Sequence, residues 1–498
     1  MSAETVRIRL EPLSTTVEVP WNSSLKSALC VHGVEFPCGG IGICGGCRVR
    51  VLAGELPVTG QDVAVFSAIE LGDGWRLACQ ARAESSLVLE CSQWKMDVLT
   101  DDSGLSTAGK SGLGIAIDLG TTTVAAQLID MATGNVLAVE TCLNPQASHG
   151  SDVMSRIKAT LSGVDLTALV RSAVEQMIAK LACGREQEIV EVVLVGNTVM
   201  HHLFCGLNVE PLSHVPFESP DPEVQAFDSG ELGWKLSRDC RVRFARCLGG
   251  FVGSDILAGT IAVGMPVSVG LIALIDLGTN GEIAIGNHDG IVCASTAAGP
   301  AFEAGSIRMG MRAATGAISR VYPLHERICA DVIGDVDARG ICGSGLVDAV
   351  AVGLQSGRIL PSGRIAGETK LFPIKDPVVL YQSDIRELQL AKGAIASGFR
   401  LLLRHLGTSA DHLESLYLAG AFGNYMQIES AIGIGLIEAP KQRIRAAGNT
   451  ALRGAKILLL SDGEPCLPRI EHISLAADPD FQDEFSSCMT FPEIASAV

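Results

Sequence analysis

Four cysteines carry the sharpest chemical signal in the chain. Cys38, Cys44 and Cys47 lie in FPCGGIGICGGCRVRV as a C-x5-C-x2-C pattern, and Cys79 follows in RLACQ. Four thiolates complete the coordination of a [2Fe–2S] cluster. Gly39, Gly40, Gly42, Gly45 and Gly46 stand among the first three cysteines. Glycine lets backbone wrap closely around a cluster and aim N–H groups at its sulfurs. Zinc is the competing reading, but zinc favours two paired C-x2–4-C units and Cys79 has no such partner. Cys30 and Cys91 flank the loop and read as spare thiols.

A second chemistry is written twice. GIAIDLGTTTVAAQLID (114–130) and LIALIDLGTNGEIAIG (271–286) each place an apolar strand before Asp-Leu-Gly-Thr and a second strand after it. Backbone N–H groups and threonine hydroxyls in such a turn donate to phosphate oxygens, and the aspartate holds Mg²⁺ through water. Asp118, Gly120, Thr121 and Thr122 supply one turn; Asp276, Gly278, Thr279 and Gly281 supply the other. Facing one another, they would clamp the triphosphate of ATP, with Asp118 and Asp276 as the catalytic pair. A third element, LESLYLAGAFGNYM (413–426), brings an apolar strand to Gly420, Ala421 and Gly423, small residues that let an adenosine approach the backbone.

Two motifs are decoys. Gly104–Ser111 spells G-x4-G-K-S, yet a P-loop needs a strand before it and a helix after it. Here a polar stretch precedes and a strand follows, so Lys110 is not expected to hold phosphate. His201 and His202, after the Gly196-Asn197 turn, read as structural rather than as metal ligands.

The elements that must position these groups fall into three textures. Residues 1–95 alternate like strands at TVRIRL and TTVEV, a hairpin. A short helix through LKSALCVHG follows, capped by Ser23 or Ser24, and then another strand at RVRVLAG (48–54). This is a small α+β domain. Residues 96–113 form a polar, Gly/Ser-rich linker. The remainder alternates strands and helices as an α/β body in two lobes, 114–270 and 271–498. GICGSGLVDAV (340–350) reads as a helix start capped by Ser344. Ile256–Ile275 carries no charge, but its glycines and proline make it a buried helix, a turn and a strand rather than a membrane span.

With 47% apolar and 19% charged residues the 498-residue chain can bury large cores. Its net charge of −17 argues against nucleic acid and against an anionic membrane surface. The first residues lack the apolar stretch of a secretion signal, so a cytoplasmic location is expected. The 16 cysteines are then metal ligands or inert thiols rather than disulfides.

The cysteine loop resembles ferredoxins of the β-grasp fold, nearer the adrenodoxin-like branch than the plant one. The Asp-Leu-Gly-Thr turns and the Gly420–Gly423 segment resemble the acetate kinase, sugar kinase, Hsp70 and actin superfamily, which implies an RNase H-like fold in each lobe. In domain order, and in NPQASHGSDVMSRI (144–157), GNTVMHHLFCG (196–206), AGPAFEAG (298–305) and SDIRELQLAKGAI (383–395), the whole chain resembles the reductive activators of corrinoid-dependent methyl-transfer proteins. Relatives with C-terminal [4Fe–4S] clusters differ, because only Cys466 and Cys488 stand near this end.

The resemblance implies ATP-dependent transfer of one electron from the [2Fe–2S] cluster to a cob(II)alamin-type centre, restoring cob(I). It implies a corrinoid protein as acceptor and a reduced ferredoxin, flavodoxin or reductase as donor; a homodimer is an expectation beside it, not one the sequence itself dictates. Two alternatives remain open. One is a small-molecule kinase with a regulatory ferredoxin. The other is an ATP-driven activator of a radical dehydratase or reductase, although those hold their cluster with cysteines of the ATPase body.

Overall fold

The computed structural model describes residues 5–11, 15–30, 34, 36, 40–43, 47–91, 110–150, 152–278, 280–324, 327–463 and 465–493. Cys38, Cys44 and Thr279 lie outside these residues, as does most of the expected linker. No helix among them is long and apolar enough to cross a membrane.

The N-terminal sheet is built as its alternation predicts. β1 (Thr5–Glu11) alternates exposed and buried side chains and pairs antiparallel with β2 (Thr15–Pro20). β3 (Arg48–Ala53), β4 (Trp75–Leu77) and β5 (Leu87–Cys91) complete it in the order β2-β1-β5-β3-β4. Helix α1 (Leu25–Cys30) starts directly after Ser24. Its Leu25 and Leu29 pack with Ile8, Leu10, Leu77 and Leu89 in one core.

The body holds two six-stranded sheets. The first contains β6 (Leu113–Leu119), β7 (Thr123–Asp130), β8 (Val136–Leu143), β9 (Ile189–Val195), β10 (Gln225–Asp228) and β11 (Arg241–Phe244), in the order β8-β7-β6-β9-β11-β10. The second contains β12 (Leu271–Leu277), β13 (Gly281–Asn287), β14 (Gly290–Thr296), β15 (Leu413–Ala419), β16 (Ile444–Gly448) and β17 (Ile470–His472), in the order β16-β15-β12-β13-β14-β17. In both, the first three strands form an antiparallel meander, and the strand that ends in Asp-Leu then pairs parallel with a later strand. The duplicated sequence pattern is therefore a duplicated topology. The Asp-bearing strands β6 and β12 are almost wholly buried, as expected where both faces are covered.

The uncharged stretch folds as α2 (Ser254–Ala262), a short turn and β12. α3 (Gly343–Gln355) and the long α4 (Gln382–His405) pack in the apolar core of the second sheet. α5 (Gly420–Tyr425) follows β15 directly. The N-cap of α3 is Cys342, with no side-chain cap bond, so Ser344 is inside the helix rather than its cap. The Ser344 hydroxyl instead donates to the Ser319 carbonyl at 2.9 Å.

α6 (Thr450–Leu460) returns from the second sheet to the first. Its Leu452, Ala455 and Leu459 pack with Ala116, Ala125 and Val193 of β6, β7 and β9. It also lies tightly against α2, where Gly454 faces the Ala258 backbone. The described end of the linker is tied to the same helix. Lys110 Nζ donates to the Leu459 carbonyl at 2.9 Å and pairs with Glu191 at 3.4 Å. That is the occupation of the decoy lysine.

The N-terminal domain does not stand apart. Met311, Ala314, Ala317 and Cys342 of the body belong to the same apolar cluster as its own core. Arg339 pairs with Glu90 at 3.3 Å across this junction.

A methyl group at position 454 would run into the carbonyl of Ala258 on the facing helix. Overpacking of this kind costs about 1–3 kcal/mol. Gly454→Ala should lower stability by that amount in urea denaturation, and an unchanged midpoint would contradict the tight α2–α6 contact.

Candidate functional site

The two sheets meet around a cavity of about 260 Å³. Asp118, near the end of β6, and Asp276, near the end of β12, both line it. Gly120, Thr121 and Thr122 line it from the first turn, Gly278 from the second and Gly420 from α5. The remaining expected residues fall elsewhere or outside the description. Gly281 is buried, and a Cβ there would lie 2.6 Å from Ile395 of α4, so its role is packing. Gly423 lies against the Leu418 backbone, and the side chain of Ala421 is outside the described residues, as is Thr279. Gly420 has φ +84, and a Cβ there would sit 2.7 Å from Asp276 Oδ1. A side chain at 420 would therefore displace the aspartate.

The first turn is held from behind. Asn144 Nδ2 donates to the Gly120 carbonyl at 2.9 Å, and the Asn144 N–H donates to the Thr122 carbonyl at 2.9 Å. Arg156, fully buried, donates to the Thr121 carbonyl and, at 3.1 Å, to the Gly150 carbonyl. Asn197 Nδ2 donates to Thr121 Oγ1 at 2.8 Å, and Thr122 Oγ1 donates to Glu303 Oε2 at 3.3 Å. The Thr122 hydroxyl proton goes to Glu303 and the Gly120 N–H to the Thr123 carbonyl, whereas Thr121 Oγ1 accepts from Asn197 and keeps its own proton to donate, the kind of group that recognises phosphate.

Electrostatics mark the same place. Burial pushes Asp118 up to about 6, opposed by the Asn449 amide that donates to its Oδ2 at 2.9 Å. Burial, then the charge of Asp118, pushes Asp276 up to about 7. Asp255 of α2 is raised by burial and by Asp276 and Asp118. Glu282 of β13 is raised well above the usual range by burial, Asp255 and Asp276. Like charges brought together in a partly desolvated cavity want a cation. Among the described residues, no three His, Cys, Asp or Glu side chains are close enough to bind one metal ion directly. Asp118, Asp255, Asp276 and Glu282 are the side chains that would face such an ion.

Asp255, Glu282, Glu303, Arg312, Asn197 and Asn449 also line the cavity and were not singled out from the sequence. Asp255 sits in Gly-Ser-Asp at a helix start, where an acidic residue ordinarily answers the helix dipole. Asn449 reaches Asp118 from 331 residues away, and no local pattern announces it.

The cysteine site is described in half. Cys47 is buried, Cys79 is half-exposed on a short turn, and the Ala78 N–H donates to the Cys47 carbonyl at 3.0 Å. The Cys79 thiol is pulled down to about 6, chiefly by a hydrogen bond with Cys47, against burial, with help from Gln80 and Lys26. Two thiols side by side, one of them poised to ionise, fit two ligands of one cluster. Cys91 is buried and pushed up to about 12, as a spare thiol should be. Cys38 and Cys44, and the side chain of Cys30, lie outside the described residues. The histidines take the structural role. His202 bonds the Asn208 carbonyl and Ser219 Oγ, each at 2.8 Å, and His201 packs edge-on to Phe244.

The raised aspartates make stability depend on pH. An unfolded aspartate titrates at roughly 3.9. A carboxyl with a raised folded pKa contributes stability that is complete below the unfolded value and is lost as pH rises through the folded one. The ligand-free protein should therefore shed stability from about pH 4 up to about pH 7 at these two sites. A cation in the cavity reverses the loss. The melting-temperature gain from Mg²⁺ and ATP should accordingly be larger at pH 8 than at pH 5.5. An equal or larger gain at pH 5.5 would contradict the electrostatic reading.

Comparison with known proteins agrees with this geometry. Residues 8–84 match a 2Fe-2S iron-sulfur cluster binding domain, residues 113–268 the RACo middle region and residues 270–497 the C-terminal ASKHA domain of RACo. The chain is 36% identical to the corrinoid activation enzyme RamQ of Eubacterium limosum, over 75% of this chain and 69% of that protein. It is 27% identical to the [Co(II) methylated amine-specific corrinoid protein] reductase of Methanosarcina barkeri, over 70% of each. The solved structure of a reductive activator for corrinoid,iron-sulfur protein matches with a TM-score of 0.67, 26% identity and 98% coverage of both chains. These matches span the cysteine-bearing domain and both duplicated sheets, and the chain belongs to the family of reductive activators of corrinoid proteins, a ferredoxin-type domain joined to an actin-like body.

Proposed function

We propose that this chain uses ATP to reduce a cob(II)alamin-type centre on a partner corrinoid protein to cob(I), one electron at a time. The electron carrier is a [2Fe–2S] cluster on Cys38, Cys44, Cys47 and Cys79 in a domain spanning residues 1–95. Mg²⁺ and ATP occupy the cavity between the lobes 114–270 and 271–498, with Asp118 and Asp276 on opposite walls. A reduced ferredoxin, a flavodoxin or a reductase supplies the electron, and the protein works in the cytoplasm as a homodimer.

One observation carries this reading. The segment that starts α3 belongs to both halves of the molecule. Cys342, Gly343 and Ser344 line the cavity, and Cys342 shares an apolar cluster with the core beneath Cys47 and Leu77. A ligand that rearranges this wall acts on the surface against which the cysteine domain rests. An uphill transfer needs such a link, because each roughly 59 mV of one-electron gap is tenfold in equilibrium. Binding can offset that gap only through different affinity for two states. The bonds that hold the Gly120–Thr122 turn serve the same end by fixing phosphate donors before the ligand arrives.

The direct test is the visible spectrum of candidate corrinoid proteins during reduction. Conversion of cob(II) to cob(I) should require this protein, an electron source and ATP. Conversion that is equally fast without ATP would overturn the reading.

Two variants separate the halves. Cys79→Ala should lose the iron or the signal of the reduced cluster while still binding ATP; two irons with an unchanged spectrum would exclude Cys79 as a ligand. Asp276→Ala should keep the cluster reducible but slow ATP-driven corrinoid reduction on the order of 10²-fold or more, since positioning and charge stabilisation dominate phosphate chemistry. Wild-type ATP-driven rates in that variant would remove Asp276 from the site.

A further inference from the structure

Gln80 ends the short turn Ala78–Gln80, directly after Cys79. A glutamine amide has two N–H groups, and each has an acceptor within reach. Nε2 lies 2.7 Å from the Gly40 carbonyl and 3.4 Å from the Cys79 sulfur. The amide is also pressed onto the cysteine loop, because a Cβ on Gly42 would sit 2.9 Å from both Cδ and Nε2 of Gln80. Gly40 and Gly42 have φ of +97 and +87, backbone that only glycine adopts freely. A Cβ on Gly40 would come within 3.1 Å of Lys26 Nζ, so segment 40–42 runs between the Lys26 side chain and the Gln80 amide.

Ile41 and Ile43, the large apolar side chains among the described residues of this loop, are 66% and 70% exposed. The amide of Gln80 therefore does two things at once. It ties the loop that follows Cys38 to the turn that carries Cys79, and it directs an N–H at a sulfur.

We propose that Gln80 is a positioning residue that sets the reduction potential of the cluster through its N–H bond to the Cys79 sulfur. The proposal rests on the reading of Cys79 as a cluster ligand. Reduction adds one negative charge, spread in part over the ligand sulfurs. A donor aimed at a sulfur stabilises the reduced form more than the oxidised one and so raises the potential. Without the donor, the reduced cluster is harder to reach from a given electron source. Gln80 thus tunes the cluster toward acceptance of its electron, while the ATP-binding body governs delivery.

The test is an anaerobic redox titration of the full-length protein, followed by the paramagnetic signal of the reduced cluster, with iron counted in each sample. Gln80→Leu should shift the reduction equilibrium about tenfold against the reduced form, a potential lower by about 59 mV for one electron. Gln80→Glu keeps the shape against Gly42 but replaces the donor with a charged acceptor, and its potential should fall at least as far. Two irons and a wild-type potential in both variants would overturn the proposal and leave the cluster reading intact. A wild-type protein without two irons would overturn the cluster reading and this proposal with it. The unmodified protein offers a check that does not depend on loading of the variants. With ¹⁵N in the glutamine side-chain amides, the reduced cluster should show a nitrogen hyperfine coupling from the Gln80 amide, and its absence would overturn the proposal.

Discussion

The repulsion among carboxylates at the centre of the molecule is the constraint on which the rest depends. Asp118 and Asp276 end strands of two different sheets, and Asp255 and Glu282 crowd the same cavity. Each is raised toward its neutral form by burial, and all but Asp118 also by their neighbours. Such a group gathers only if something else holds the backbone in place. Here two duplicated sheets do so, with strands buried on both faces and α6 crossing from one to the other. The fold holds the walls of this cleft together against that repulsion.

From that centre the structure reads outward in two directions. Toward the first lobe, the Gly120–Thr122 turn is fixed in place by Asn144, Arg156 and Asn197. Toward the N-terminus, the start of α3 passes from the cavity wall into the apolar junction with the cysteine domain. Among the described residues, the junction is apolar packing around Met311, Ala314, Ala317 and Cys342, with an ion pair from Arg339 to Glu90 at its edge. A partly exposed ion pair of this kind contributes little by itself. The contact is held mainly by apolar burial, which is non-directional.

The two chemistries differ in how they use glycine. Around the cysteines, Gly40 and Gly42 hold positive φ so that backbone can pass closely between Lys26 and Gln80. In the cleft, Gly420 leaves room for the carboxylate of Asp276. Gly281 belongs to neither and simply lets α4 pack on β13. The residue type is shared, but only the surroundings assign the role.

Much of this was legible in the chain itself. The cysteine spacing, the paired Asp-Leu-Gly-Thr turns and the strand before Gly420 are local patterns, because a strand and its turn are specified by neighbouring residues. They determined the kind of domain at each end and the pairing of Asp118 with Asp276. The context of Lys110 likewise excluded a P-loop, and its bond to the Leu459 carbonyl is a different use of the side chain. Only the tertiary structure decided which side chains complete the cleft, since Asp255, Glu282 and Asn449 come from separate elements. It alone showed that Gly281 serves packing, that Ser344 lies inside α3 with Cys342 at the N-cap position, and that the start of α3 links the cleft to the cysteine domain. The physical reason is range. Turn geometry and strand patterning act over a few residues, whereas burial, charge repulsion and shared walls arise only when distant segments are packed together.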